Sequence, residues 1–443
     1  MAKKRSSGKK KKRTIVVFLF VLCPILVLGS LGIFYYAKQQ ESILRQEGLN
    51  AQGAGADPAI AEGEAQTEED KKGGADTETA QGADDSGALA QSMPEIMTDA
   101  EAEEGLSEME TVTESEAAVE SESSPVVMTF TGDICFHDPF ANMGAYRQRG
   151  SDITKCIDET LLSEMRNADI CMINNEFPYS DRGTPLAGKT YTFRSKPENV
   201  KILTQMGVDI AGIANNHAFD HGEEAFLDTL DILKKEGILY AGGGRNLTEA
   251  ASPVILEKGG MKIGFVAATQ IERSYPVDTR GATDSQAGVM RSFSEEEYNR
   301  FLEAIRSAKQ QCDFLVVFIH WGSENTDVLD AYQTGQAAGY ADAGADLVVG
   351  GHPHCLQGIG KCGNVPVIYS LGNYWFNSKT VDTALLKVTV QDGDLKSVQM
   401  IPALQHDCRT DHVEGADKQR IIDYINSISR DGVSLDSEGY LSW

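Results

Sequence analysis

Positive charge is scarce in this chain. Its 443 residues hold 40 lysines and arginines against 66 aspartates and glutamates, a net charge of −26. A phosphate backbone calls for a basic face, so nucleic acid is excluded as a partner. Cysteine is equally thin: of eight, seven follow residue 125 and Cys23 precedes it, none at metal-finger spacing. Buried thiols are therefore the expected state, with Cys355 and Cys362 the nearest pair should an oxidising compartment join any two. No internal repeat is present. Aromatic residues are missing from residues 51–124, where 21 acids face only Lys71 and Lys72. Such a segment cannot bury enough apolar surface to offset its ordering entropy, so it reads as a disordered, self-repelling spacer.

Long uncharged apolar runs are missing as well, with one exception. Residues 14–37 carry no charge, and about 20 apolar residues cross a bilayer. Lys3, Lys4, Arg5 and the basic run from Lys9 to Arg13 precede them. Basic flanks stay in the cytoplasm, so everything after Lys38 is expected outside the cell membrane. A cleaved signal peptide is the competing reading, but the run is longer than the usual signal core and no small-x-small site ends it. The expected organisation is a basic cytoplasmic tail (1–13), a single-pass transmembrane anchor (14–37), an acidic disordered linker (38–124) and one folded domain (125–443). That domain is acidic in its own right, with a net charge of −15. An anionic substrate would need concentrated positive charge there, and a bound metal is one source of it.

Within the domain, short apolar runs alternate with stretches of helical spacing. Residues 126–131, 170–173, 208–214, 262–269, 314–319, 347–350 and 365–370 read as strands. Helices are expected over 153–168, 197–206, 223–236, 294–311, 327–343 and 421–428, and Ser294 with Glu297 has capping-box spacing. A hairpin over 385–390 and 395–401 turns at Asp392-Gly393-Asp394. Strands alternating with helices, closed by an antiparallel hairpin, indicate an α/β layered fold with mixed sheets.

Six of these strands end on residues that carry chemistry: Asp133, Glu176, Asn216 with His217, His320, His352-x-His354, and Asn373. Each alone has a bland reading, since a Gly-Asp pair is commonly a turn and a histidine after an apolar strand is commonly a satisfied core residue. Together they fall on the C-terminal ends of strands, where open α/β sheets hold their ligands. Imidazole with carboxylate suits Mn, Fe and Zn, and Mg less well. The number of ligands allows two divalent ions, clamping the attacking and leaving oxygens of a displacement.

The motifs Thr131-Gly132-Asp133, Asn175-Glu176, Ala214-Asn215-Asn216-His217 with Asp220-x-Gly222, His320-Trp321-Gly322-x-Glu324, Gly351-His352-Pro353-His354 and Tyr369-Ser370-Leu371-Gly372-Asn373 occur in that order. In them the sequence resembles the CapA-type capsule-synthesis family of poly-γ-glutamate biosynthesis, over about residues 126–403. That family is similar in fold to the calcineurin-like metallophosphoesterases, which implies a sandwich of two sheets flanked by helices. The resemblance implies Asp133, Glu176, Asn216, His320, His352 and His354 as metal ligands and His217 as the general acid. It also implies Arg194 as a clamp for an anionic group of the substrate, and leaves Glu324 to orient His320 or to stand exposed. Two departures are visible. The phosphoesterase pattern begins Asp-x-His, whereas the first histidine after Asp133 is His137, and the second acid is a glutamate where that pattern has an aspartate.

The expected protein is a membrane-anchored, extracellular, metal-dependent hydrolase or transferase working on a phosphoester or amide of an anionic envelope polymer, with other capsule-synthesis subunits as partners. The alternative is a non-catalytic export or tethering subunit of such a complex.

Overall fold

The computed structural model describes residues 123–272 and 279–442, all within the compact unit Thr111–Trp443. The basic tail, the anchor and nearly all of the linker lie outside the described residues. In chain order the first strands are β1 (Val126–Ile134), β2 (Ile170–Asn175), β3 (Ile210–Gly212), β4 (Leu239–Ala241), β5 (Gly243–Gly244), β6 (Val254–Lys258), β7 (Met261–Thr269), β8 (Gly288–Val289) and β9 (Phe314–His320). They are followed by β10 (Leu347–Gly351), β11 (Ile359–Cys362), β12 (Val365–Ile368), β13 (Asn373–Trp375), β14 (Val381–Gln391), β15 (Asp394–His406), β16 (Arg409–His412), β17 (Ser434–Leu435) and β18 (Leu441–Ser442).

Two mixed sheets dominate. One runs β16-β15-β14-β1-β2-β3-β4 with β13 added beside β1, and the other runs β11-β12-β10-β9-β7-β6. In the first, β1 to β4 are parallel and the β14–β15–β16 meander is antiparallel. In the second, β7, β9, β10 and β12 are parallel.

The uninterrupted apolar strands follow from burial on both faces. Along β9, Phe314, Val316 and Phe318 join the core shared with the first sheet. The intervening Leu315, Val317 and Ile319 join Phe301, Ile305, Ala337 and Tyr340 from the helices Glu295–Lys309 and Ala331–Ala343. Phe130 of β1 and Phe265 of β7 meet across the sheet interface at 6.4 Å between ring centroids. The outer side of the first sheet is covered by Glu159–Asn167, Lys201–Met206 and Gly222–Glu236, whose Leu162, Leu203 and Leu230 are fully buried. Two mixed sheets with helices outside are the layered α/β architecture expected from the strand–helix alternation.

The expected helix over 153–168 is broken. A 3-10 turn, Ile153–Lys155, ends at Cys156, Ile157 bridges to Thr410, and a new helix starts behind Asp158, whose carboxylate accepts from Thr160 N at 2.8 Å. Likewise the helix expected from 327 starts only at Ala331, because Asp330 and Gln333 form a capping box. The capping box read at Ser294 and Glu297 is present.

Candidate metal centre

The C-terminal ends of the parallel strands of both sheets arrive at one rim. β1 brings Asp133, β2 leads into Glu176, the turn after β3 carries Asn216 and His217, β9 ends on His320, and the turn after β10 carries His352 and His354. β1 reaches this rim because position 132 is glycine: a Cβ there would lie 1.9 Å from the Gly372 carbonyl oxygen, which accepts from Asp133 N at 2.8 Å. The ladder slips in register on both sides of Asp133, as a bulge that re-aims a side chain would do. The His352 amide then donates to both carboxylate oxygens, at 3.2 and 3.1 Å. Gly351 leaves room for this, since a Cβ there would stand 2.7 Å from Asp133 Oδ1. His352 and His354 both take left-handed backbone, at φ 97° and 57°, which is strain held at a site rather than in a turn glycine.

Asparagines fix the relative placing of these groups. Asn174 Nδ2 donates to Asp133 Oδ1 at 2.7 Å and to Glu176 Oε2 at 3.3 Å, and lies 3.3 Å from His320 Nδ1. Asn216 Oδ1 faces His320 Nε2 at 2.8 Å, and His352 Nδ1 stands 3.1 Å from that same nitrogen. His354 Nδ1 lies 2.9 Å from Asn373 Oδ1 and 3.3 Å from Asp133 Oδ2.

Glu176 tests whether the set fits a cation. Its side chain is fully buried, and Oε1 has no hydrogen-bond partner. Around that oxygen stand His217 Nε2 and His320 Nε2 at 3.8 Å and His354 Nε2 at 3.7 Å. Burial, reinforced by Asp133, pushes the Glu176 carboxyl well above the usual range. A buried carboxylate oxygen without a donor is costly, and imidazole nitrogens just beyond hydrogen-bond reach are the setting a shared divalent ion resolves. Two groups bring one donor atom per residue within 4.8 Å of one another: Glu176 with His352 and His354, and Asp133 with Glu176 and His320. Glu176 belongs to both.

Electrostatics divide the imidazoles. Burial opposes charge on His354, but Glu176 and the hydrogen bond to Asp133 outweigh it and push this group up to about 10. Burial holds His320 well below the usual imidazole range, with His352 and His354 adding to it. His217 is also held well below, by burial and then by Lys189. Its Nδ1 lies 2.6 Å from Asp220 Oδ2, and its ring stacks on Phe193 at 4.0 Å between centroids.

Six expected ligands and His217 therefore come together; Arg194 does not join them. It is half-buried next to Phe193, and its guanidinium donates to the carbonyls of Arg182 and Gly183 at 3.2 and 3.5 Å. His137 is engaged elsewhere, its Nδ1 accepting from Arg194 N at 3.0 Å. Glu324 is exposed, while both ring nitrogens of His320 face asparagines. The bridging role of Asn174 and the partnership of Asn373 with His354 were not legible in the sequence, although the first adjoins a quoted motif and the second ends one. Nor was Lys189, which sits in an irregular stretch with no periodicity to mark it.

Fold and site together define a two-sheet α/β protein whose strand ends gather histidines and carboxylates into a candidate cation site. The family described as bacterial capsule synthesis protein PGA_cap matches residues 127–378, more than half of the chain, and the chain belongs to that family. It is similar to the capsule biosynthesis protein CapA of Bacillus anthracis, 28% identical over 244 residues, covering 54% of this chain and 58% of that one. It is also similar to the PGA biosynthesis protein CapA of Bacillus subtilis (strain 168), 29% identical over 289 residues, or 63% of this chain and 71% of the relative. A hypothetical protein from Thermus thermophilus superposes with a TM-score of 0.40 at 15% identity, over 63% of this chain and all of its own.

Proposed function

We propose that this protein is a membrane-anchored member of the capsule-synthesis family whose outward-facing domain serves the making of an anionic envelope polymer such as poly-γ-glutamate, through a metal-dependent hydrolase or transferase site. The observation that carries the reading is Glu176 Oε1, buried without a partner among three imidazole nitrogens. The names of the Bacillus relatives support the polymer, and the uncharged run at 14–37 behind a basic tail supports the anchor. Asp133, Glu176, Asn216, His320, His352 and His354 would hold the divalent metal, with room in the ligand count for two ions. Manganese, iron, zinc and magnesium are the candidates. A cation bound there would polarise a phosphoryl or carbonyl oxygen and supply positive charge that the acidic domain lacks.

The chain's own residues do the rest. Asp220, a carboxylate acceptor, fixes the His217 proton on Nδ1, which leaves Nε2 turned towards Glu176. The neutral ring would take the proton of the attacking water at Nε2 and pass it to the leaving group, which refines its expected role as general acid. Burial of the whole cluster keeps bulk water from it, since only His354 is noticeably exposed, at 15% of its side chain.

The test is metal analysis of the purified full chain, followed by assays on phosphoesters and γ-linked glutamate with wild type and Asp133→Asn. Stoichiometric metal with hydrolysis that Asp133→Asn abolishes is the expected result. A metal-free wild type inactive on both substrate classes would reject it. The same burial favours a second reading, a structural centre in a non-catalytic export or tethering subunit. In that case replacing Asp133 and His217 together leaves polymer output in cells intact, while deleting the anchor stops it.

A further inference from the structure

We propose that Lys189 is a positioning residue that holds both Asn216 and His217 in their working places; this deepens the metal-site reading and rests on it. The Lys189 side chain is 1% exposed, and its ammonium donates to Asn216 O at 2.5 Å and to Asp220 Oδ1 at 2.6 Å. One cation therefore grips the backbone of a candidate ligand and the carboxylate that orients the proton-transfer histidine. Asn216, held from behind at its carbonyl, presents Oδ1 to His320.

Asp220, itself fully buried, gathers the remaining bonds. Its Oδ2 accepts from Phe193 N and lies as close to His217 Nδ1, both at 2.6 Å, and its backbone oxygen accepts from Leu186 N at 2.8 Å. The segment from Leu186 to Phe193 is thus strapped to the turn that follows β3, and Phe193 closes over the His217 ring. Burying an ammonium is expensive unless it is paired and hydrogen-bonded, and an ion pair that served only stability could sit anywhere in the core. This one touches two neighbouring residues of the centre. Groups that orient ligands and general acids from behind commonly carry about tenfold or more in metal affinity.

The experiment uses the full chain carrying isotope-labelled histidine, first metal-free and then titrated with Mn2+ alone, in wild type, Lys189→Met and the milder Lys189→Gln. The metal-free wild type should show His217 as the Nδ1–H tautomer with a slowly exchanging proton. Lys189→Met should lose that slow exchange while folded, and bind Mn2+ about tenfold or more weakly; Lys189→Gln should fall between the two. A purely structural lysine would lower the melting temperature and leave the histidine signature and Mn2+ affinity of the folded protein unchanged, which overturns the proposal. Should Lys189→Met fail to fold, Lys189→Gln decides by the same two readouts. A wild type that binds no Mn2+ yet shows the tautomer and its dependence on Lys189 would remove the metal reading and leave the positioning role standing.

Discussion

At the scale of single residues, the centre is a balance between one buried carboxylate and the cations offered to it. Glu176 is pushed above the usual carboxyl range by burial and then by Asp133. A raised folded-state value means that the metal-free fold loses stability as pH rises through the range where Glu176 ionises. Glu176→Gln should therefore flatten that loss and melt higher than wild type in chelator at neutral pH, while its Mn2+ affinity collapses. Parallel melting and Mn2+ titrations check both signs, and a variant that keeps Mn2+ affinity would remove Glu176 from the centre. Protons and a bound cation would also compete for His354, whose charge burial disfavours but Glu176 and Asp133 favour, pushing the group up to about 10. Mn2+ uptake should accordingly release protons and weaken on acidification from about pH 8 to about pH 6. Calorimetry in buffers of different ionisation enthalpy measures the proton count.

At the scale of elements, strand interiors and strand ends answer to different forces. Phe318 of β9 lies between the sheets in the larger core, so Phe318→Ala should cost about 3–5 kcal/mol in denaturant unfolding with little change in Mn2+ affinity per folded molecule. Gly132→Ala acts in the opposite register. Its Cβ would strike the backbone oxygen of Gly372, an atom no rotamer can move, so both stability and the placing of Asp133 should suffer. Wild-type Mn2+ affinity in that variant would show that β1 can bend elsewhere. The apolar runs of β9 and β10 were legible because burial on both faces leaves nothing polar to blur them before their ends, and those ends named the rim. The break before Asp158 was not, because Ile157 is drawn from helical spacing by pairing with Thr410, some 250 residues away. Lys189 and Asn174 were hidden for a related reason: their partners, Asp220 and Asp133, are brought near only by the packed fold. Local pattern carries no trace of such contacts.

At the scale of the whole molecule, charge sets the context. A domain of net charge −15 that follows a stretch with 21 acids would repel an anionic polymer except where a cation or a basic residue intervenes. If residues 14–37 are the anchor, removing 1–37 should move the protein from the membrane fraction to the soluble fraction, and continued sedimentation with membranes would contradict this. Side chains spread from Asp133 to His354 are proposed to form one cation site. Elemental analysis of the full chain, purified without chelator and compared with His352→Ala, tests it most directly. One to two divalent ions per wild-type chain, and their loss from the variant, are the expected result. Wild-type protein that is metal-free and takes up no Mn2+ or Zn2+ at neutral pH would contradict it.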